Sequence, residues 1–168
     1  MNALTIISLL LFVCFVAISI VKFGLLPSWS AYGLKWAQSH PIPNLNIWSA
    51  INIIVALLLI PPMIERGIDN PWQFLGFFAP LYLIVVGLTP NFDKVDGKWT
   101  KEGLVHTFGA FGCAIMSTLW MAYEWWVILI TAGVMLLLAL TTNSLRESIV
   151  FWAEMALFPA AYAVLLLF

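Results

Sequence analysis

Charged side chains are scarce in this sequence. Only 9% of its 168 residues are Asp, Glu, Lys or Arg, whereas a soluble domain carries about 25%. Hydrophobic residues make up 63% of the chain, and the mean hydropathy is +1.02. A soluble domain needs a polar surface, which so few charges cannot supply. The composition therefore excludes a soluble enzyme and a disordered regulator, and it indicates an integral membrane protein.

An excess of positive charge is also missing, and cysteine is rare. Seven Lys and Arg stand against eight Asp and Glu, for a net charge of −1. There is thus no basic surface for nucleic acid, and we expect no nucleic-acid partner. The two cysteines, Cys14 and Cys113, lie in apolar runs without the CxxC spacing of a metal or redox site. We interpret both as small apolar side chains.

Long apolar runs are what the sequence has in abundance. A helix that crosses a bilayer needs about 20 mostly apolar residues, and six stretches approach that length. They are residues 4–21, 47–63, 71–88, 103–122, 125–141 and 145–168. We therefore predict an all-α polytopic transmembrane helical bundle of about six spans, with residues 1–168 as a single transmembrane domain. Pro61-Pro62 is expected to bend or end the second span.

The distribution of aromatic and basic residues predicts how the spans are oriented. Most tryptophans fall near the predicted span ends, as in an interfacial aromatic belt. The connections 22–46, 89–102 and 142–146 hold all the Lys and Arg except Arg66. The positive-inside rule then predicts that these three loops are cytoplasmic and that both termini lie outside. Because the loops are short, we favour a bacterial plasma membrane.

Glu154 is the clearest polar residue inside a predicted span. An ionisable group there is costly and points to function by default. We expect its carboxyl to be neutral unless a cation or a hydrogen-bond donor faces it. One interpretation is a proton-carrying or ligand-coordinating carboxyl; the other is a hydrogen bond that packs neighbouring helices. Glu147 lies on the same helical face, and we interpret it as an interfacial charge.

His106 and nearby polar residues form the second candidate feature. The spacing of His106, Cys113 and Ser117 places them on one face of the fourth span, and Gly109 and Gly112 give that span a small surface. We interpret His106 as hydrogen-bonded or interfacial, with metal ligation as the alternative. The long connection 24–46 is aromatic and is expected to lie on the membrane interface. The predicted polar cleft comprises His106, Glu147, Glu154, Ser117, Asn52, Ser28 and Ser30.

Two stretches resemble a known family. The Leu26–Tyr32 segment looks like the Pro-Ser-x-Ser loop of the Frag1/DUF998-type six-helix membrane proteins, and Val105–Ala110 is similar to their His-x-x-x-Ala element. Those families are loosely grouped with the alkaline ceramidases and progestin-receptor-like proteins. The resemblance implies a six-helix fold and, for many relatives, metal-dependent membrane hydrolysis.

The chain departs from that group in its histidines. The hydrolases use a Ser, an Asp and three His around zinc, but this sequence has two His. One chain therefore cannot form the three-His site, and we expect no metal or cofactor. If zinc binds, the predicted ligands are His106 with Glu147 or Asp93.

Three functions stay open at this point. The first is a non-catalytic bundle that binds lipid, solute or a partner in its polar cleft, with membrane lipids as partners and a homo-oligomer through the Gly109/Gly112 face. The second is a metal-dependent, membrane-embedded hydrolase of lipid amides or esters. The third is an oligomeric proton-linked transporter or channel that uses Glu154.

Overall fold

Helices account for nearly all of the backbone that the computed structural model describes. It describes residues 2–39, 46–69, 71–90, 94–95, 98–126, five separate positions between 130 and 141, and 149–167. The helices are α1 (Asn2–Phe23), α2 (Trp29–Ser39), α3 (Ile47–Arg66), α4 (Gln73–Leu88), α5 (Lys101–Glu124) and α6 (Ile149–Leu167). A two-residue antiparallel pair, β1 (Lys94–Val95) with β2 (Lys98–Trp99), lies between α4 and α5. The all-α class is confirmed.

Three of the described helices are long and apolar enough to cross a membrane: α1, α3 and α5. The apolar stretches of α4 and α6, Phe74–Leu88 and Phe151–Leu167, are shorter. The predicted fifth span, 125–141, and the start of the sixth fall largely outside the described residues. The described positions Ile130, Gly133, Val134, Leu137 and Thr141 are helical. The structure thus supports a helical membrane protein with three candidate spans.

Helix α3 continues past its prolines. Pro61 and Pro62 lie inside the helix, which ends at Arg66, where the Gly67 N–H donates to the carbonyls of Ile64 and Glu65. A proline removes one intrahelical hydrogen bond without preventing the helix from going on beyond it. At the other end, the Asn46 side chain accepts a hydrogen bond from the Ser49 N–H at 2.9 Å and caps the first turn.

The segment after α1, which the sequence predicts to lie on the membrane interface, has aromatic residues that are buried in the protein. It forms α2, whose aromatic face is buried in the bundle: Trp29 is 2% exposed and Trp36 is 6% exposed. Their indole N–H groups donate to Asn52 and Ser19 at 3.0 Å each. Because the protein satisfies these polar groups, the rings need no contact with lipid head groups.

The predicted aromatic belt is therefore wrong for several tryptophans. Trp48 and Trp120 are also buried, at 0% and 2% exposure. Trp72 and Trp126 are exposed, at 49% and 66%, and these two keep the pattern of a belt. Position near the end of an apolar run thus does not distinguish a core tryptophan from an interfacial one.

Helix α4 packs between α3 and α5, and α6 contacts α5 and α1. The α3–α4 contact is very close at Gly76. A Cβ atom added there would lie 2.6 Å from the Met63 carbonyl oxygen of α3. At the end of α3, the Arg66 Nε and Glu124 Oε2 atoms form an ion pair at 3.3 Å, which ties α3 to the end of α5.

We predict that Gly76→Ala separates α3 from α4. The added methyl group meets backbone rather than a flexible side chain, so we expect a loss of about 1–3 kcal/mol in the free energy of unfolding. The midpoint of thermal unfolding in detergent measures it. The control is Gly133→Ala, because no atom that the structure describes lies within 4 Å of a Cβ atom there. Helix propensity predicts a gain of about 0.5–1 kcal/mol. Equal midpoints for the two variants would contradict the prediction.

Candidate functional site

The first turn of α2 lies where α4 ends and where α3, α5 and α6 begin. The loop before it is fixed at both sides: the Tyr32 hydroxyl donates to the Gly24 carbonyl at 2.7 Å, and the Phe151 N–H donates to the Pro27 carbonyl at 3.1 Å. Ser28 accepts a hydrogen bond from the Ala31 N–H at 3.0 Å and thus caps α2. The chain therefore enters α2 in a defined position inside the bundle.

Glu154 on α6 holds the beginning of this helix. Its Oε2 atom accepts a hydrogen bond from the Trp29 N–H at 2.7 Å. The first N–H groups of a helix have no intrahelical acceptor, and a carboxyl oxygen is a favourable partner for them. A hydrogen-bond donor thus faces this carboxyl, and it is a backbone group.

His106 on α5 contacts Ser30, the residue of α2 that follows Trp29, and also the end of α4. Its Nδ1 atom lies 2.6 Å from the Thr89 carbonyl oxygen, and its Nε2 atom lies 2.8 Å from the Ser30 Oγ atom. A carbonyl oxygen only accepts, so we assign the imidazole hydrogen to Nδ1. In the neutral ring Nε2 then accepts the hydrogen bond that the Ser30 hydroxyl donates. The Ser30 side chain is 8% exposed and His106 is 3% exposed.

Asn52 on α3 joins the same group of contacts through two aromatic residues. Its Oδ1 atom accepts the Trp29 indole N–H, and its Nδ2 atom donates to the Trp48 carbonyl at 2.8 Å. The Trp48 ring plane is inclined by 28° to the His106 imidazole, with 6.4 Å between ring centroids. Three helices therefore fix the first turn of α2, each through a different polar side chain.

A cleft runs from this turn between the helices. Its cavity volume is about 80 Å³, it opens to the exterior, and its surface is mainly apolar. Ser30 and Glu154 lie at the α2 end, and Cys113 and Ser117 lie further along α5. The apolar lining residues include Leu59, Met63, Ala79, Leu83, Ala110, Leu157, Phe158 and Ala161. We call this space the α2 cleft.

The structure brings together part of the predicted polar site. His106, Ser30, Glu154 and Asn52 meet around Trp29, and Ser117 lines the cleft. Ser28 caps α2. Glu147 and Asp93 lie outside the described residues, so their predicted roles stay predictions.

The His, Cys, Asp and Glu side chains that the structure describes do not form a zinc ligand set. Both His106 nitrogens are hydrogen-bonded, and one Glu154 oxygen is bound to α2. In the part of the chain that the structure describes, no group of three His, Cys, Asp or Glu side chains could hold a metal ion. A zinc site that includes Glu147 or Asp93 stays a prediction.

The face of α5 that carries Gly109 and Gly112 is in contact with α4 of the same chain. A Cβ atom added at Gly112 would lie 2.5 Å from the Tyr82 ring of α4, and one at Gly109 would lie 3.0 Å from Val85. The close approach that these glycines predicted is thus made by α4. Association of two copies through this face stays a prediction.

Sequence reasoning missed two backbone groups of the site, the Trp29 N–H and the Thr89 carbonyl. Neither has a residue-type signal of its own. Thr89-Pro90 did predict the end of a helix, and the last carbonyls of a helix lack intrahelical donors. That pair could therefore have indicated a free acceptor close to the start of the next span.

Comparison with known protein families, with curated proteins and with solved structures gave no match. The resemblance to the six-helix families stays an expectation from the sequence.

We predict that Glu154→Leu destabilises the fold more than Glu154→Gln does. Leucine leaves the Trp29 N–H without its acceptor, at a cost of about 1–3 kcal/mol in the free energy of unfolding. Glutamine keeps a carbonyl oxygen at the same position, so its cost is smaller. Thermal unfolding in detergent compares the two variants. Equal midpoints would show that the contact with α2 contributes nothing to stability.

Proposed function

We propose that this chain is a six-span protein of a bacterial plasma membrane that binds a single-chain amphiphile in the α2 cleft. The observation that supports binding is the cleft itself, which is apolar along its length and polar at the α2 end. Ligand sites of this kind combine an apolar wall with a few polar groups that orient the ligand. The five described apolar helices and the helical positions after α5 support the six spans.

The length of the cleft suits part of one alkyl chain. On α5 its lining extends from Ala110 to Ser117, and on α6 from Glu154 to Ala161. Seven residues of helix correspond to about 10 Å. A path of this length holds part of one alkyl chain, and the remainder leaves through the open side of the cleft. Small side chains such as Ala110 and Ala161 line the path.

The polar end favours an uncharged head group with hydroxyl groups. Glu154 and Ser30 lie there, and no Lys or Arg is among the lining residues that the structure describes. A phosphate head group would face the Glu154 carboxyl without a cation to balance it. A glycerol head group donates hydrogen bonds to that carboxyl instead. The proposed ligand class is therefore a monoacylglycerol or its ether analogue.

We predict that the purified protein binds the ether lipid hexadecylglycerol, which has no ester bond to cleave. Native mass spectrometry in detergent measures the bound fraction. Ala161→Trp fills the cleft and should lower affinity about tenfold or more, which corresponds to about 1.4 kcal/mol.

The matched control is Ala153→Trp, an exposed position on the same helix, which should bind like the original protein. Hexadecyl phosphate should bind more weakly than the ether lipid. Equal affinity of both tryptophan variants, or stronger binding of the phosphate, would overturn the proposal.

A second prediction tests the membrane orientation. Ile68 follows α3 and Lys98 precedes α5, and both are exposed. With Cys14 and Cys113 replaced by serine, Ile68→Cys should react with an impermeant maleimide on intact cells. Lys98→Cys should react only after permeabilisation, because the positive-inside rule places its loop in the cytoplasm. Labelling of both from outside would contradict the six-span arrangement.

A further inference from the structure

We propose that the α2 cleft is also an esterase site, in which Ser30 is the nucleophile and His106 is its general base. The substrate is the ester bond of a monoacylglycerol, so this inference rests on the proposed function. Three features support it: the contact between the two side chains, the tautomer of the histidine, and the position of the serine on the cleft wall.

Ser30, His106 and the Thr89 carbonyl are arranged as proton transfer from a serine requires. A nucleophilic serine needs a base within hydrogen-bond reach and a third group that orients the base. The Ser30 Oγ atom lies 2.8 Å from His106 Nε2, and Nδ1 lies 2.6 Å from the Thr89 carbonyl. The Trp48 ring packs along the imidazole. These contacts orient the lone pair of Nε2 towards the Ser30 hydroxyl.

The location of Ser30 suits an attack on a bound ester. It is the second residue of α2, and its side chain lines the cleft next to Glu154. A ligand with its glycerol head near Glu154 and its alkyl chain along α5 and α6 brings its ester group between them, beside Ser30.

The reaction balances with water as the second substrate. The Ser30 Oγ atom bonds to the ester carbonyl carbon while its proton passes to His106 Nε2. The bond from that carbon to the glycerol oxygen then breaks, and Nε2 returns the proton to the departing oxygen. Water attacks the acyl-serine, His106 takes a proton from the water, and the bond to Oγ breaks as Oγ regains a proton. The products are a fatty acid and glycerol.

A purely structural role is the competing explanation, because the same hydrogen bond ties α2 to α5. That role predicts a loss of stability on substitution and no chemistry at Ser30. A covalent reaction at Oγ distinguishes the two, since packing alone does not make a serine reactive towards an organophosphorus reagent.

The experiment is labelling with a long-chain alkyl fluorophosphonate in lipid nanodiscs, followed by intact-mass and peptide mass spectrometry. We expect one adduct on Ser30, none in Ser30→Ala, and labelling about 100-fold slower in His106→Gln, the size of a general-base contribution. Ser39→Ala removes an exposed hydroxyl at the other end of α2 and should label at the original rate. Thermal unfolding midpoints of all variants show that each is folded.

The substrate is tested in the same preparation by release of oleate from monooleoylglycerol, which should stop in Ser30→Ala. Hexadecylglycerol should slow the labelling. Absence of an adduct on Ser30, an unchanged rate in His106→Gln, or an adduct without oleate release overturns the esterase. Binding of hexadecylglycerol without labelling overturns the esterase and leaves the proposed function standing, whereas absence of binding overturns the proposed function.

Discussion

The structure depends on how the first turn of α2 is held inside an apolar bundle. Its polar groups find partners on three other helices: Glu154 on α6, Asn52 on α3 and His106 on α5. An unpaired backbone or side-chain group in such surroundings costs several kcal/mol, on the order of the desolvation penalty. The hydrogen bonds that set the relative placement of these helices are therefore the same ones that form the polar end of the cleft. A shift of any of the three helices breaks a hydrogen bond at the site.

Composition and apolar runs were enough to predict the helical class, and polarity inside those runs was enough to select several site residues. His106 and Glu154 stood out because an apolar segment does not tolerate them without partners. The partners themselves were not predictable in the same way. The Trp29 N–H and the Thr89 carbonyl belong to the backbone, so their availability depends on where helices begin and end rather than on residue type.

Helix α2 shows a second limit of the sequence. Trp29 and Trp36 carry both a large apolar ring and a polar N–H, so they suit either a membrane interface or a protein core. For these two tryptophans the fold supplies an acceptor for the N–H group. Asn52 and Ser19 provide those acceptors from α3 and α1, and neither is close to its tryptophan in the sequence.

The end of α4 has a consequence for the chemistry of the imidazole on the neighbouring helix. Helix α4 ends at Leu88, and Thr89 offers its carbonyl to His106. Pro90 follows, and a proline cannot extend the hydrogen-bonding pattern of the helix. A stop in one helix thus selects which ring nitrogen of another carries its hydrogen. In this protein the protonation pattern of a side chain is specified by a backbone boundary seventeen residues away in the chain.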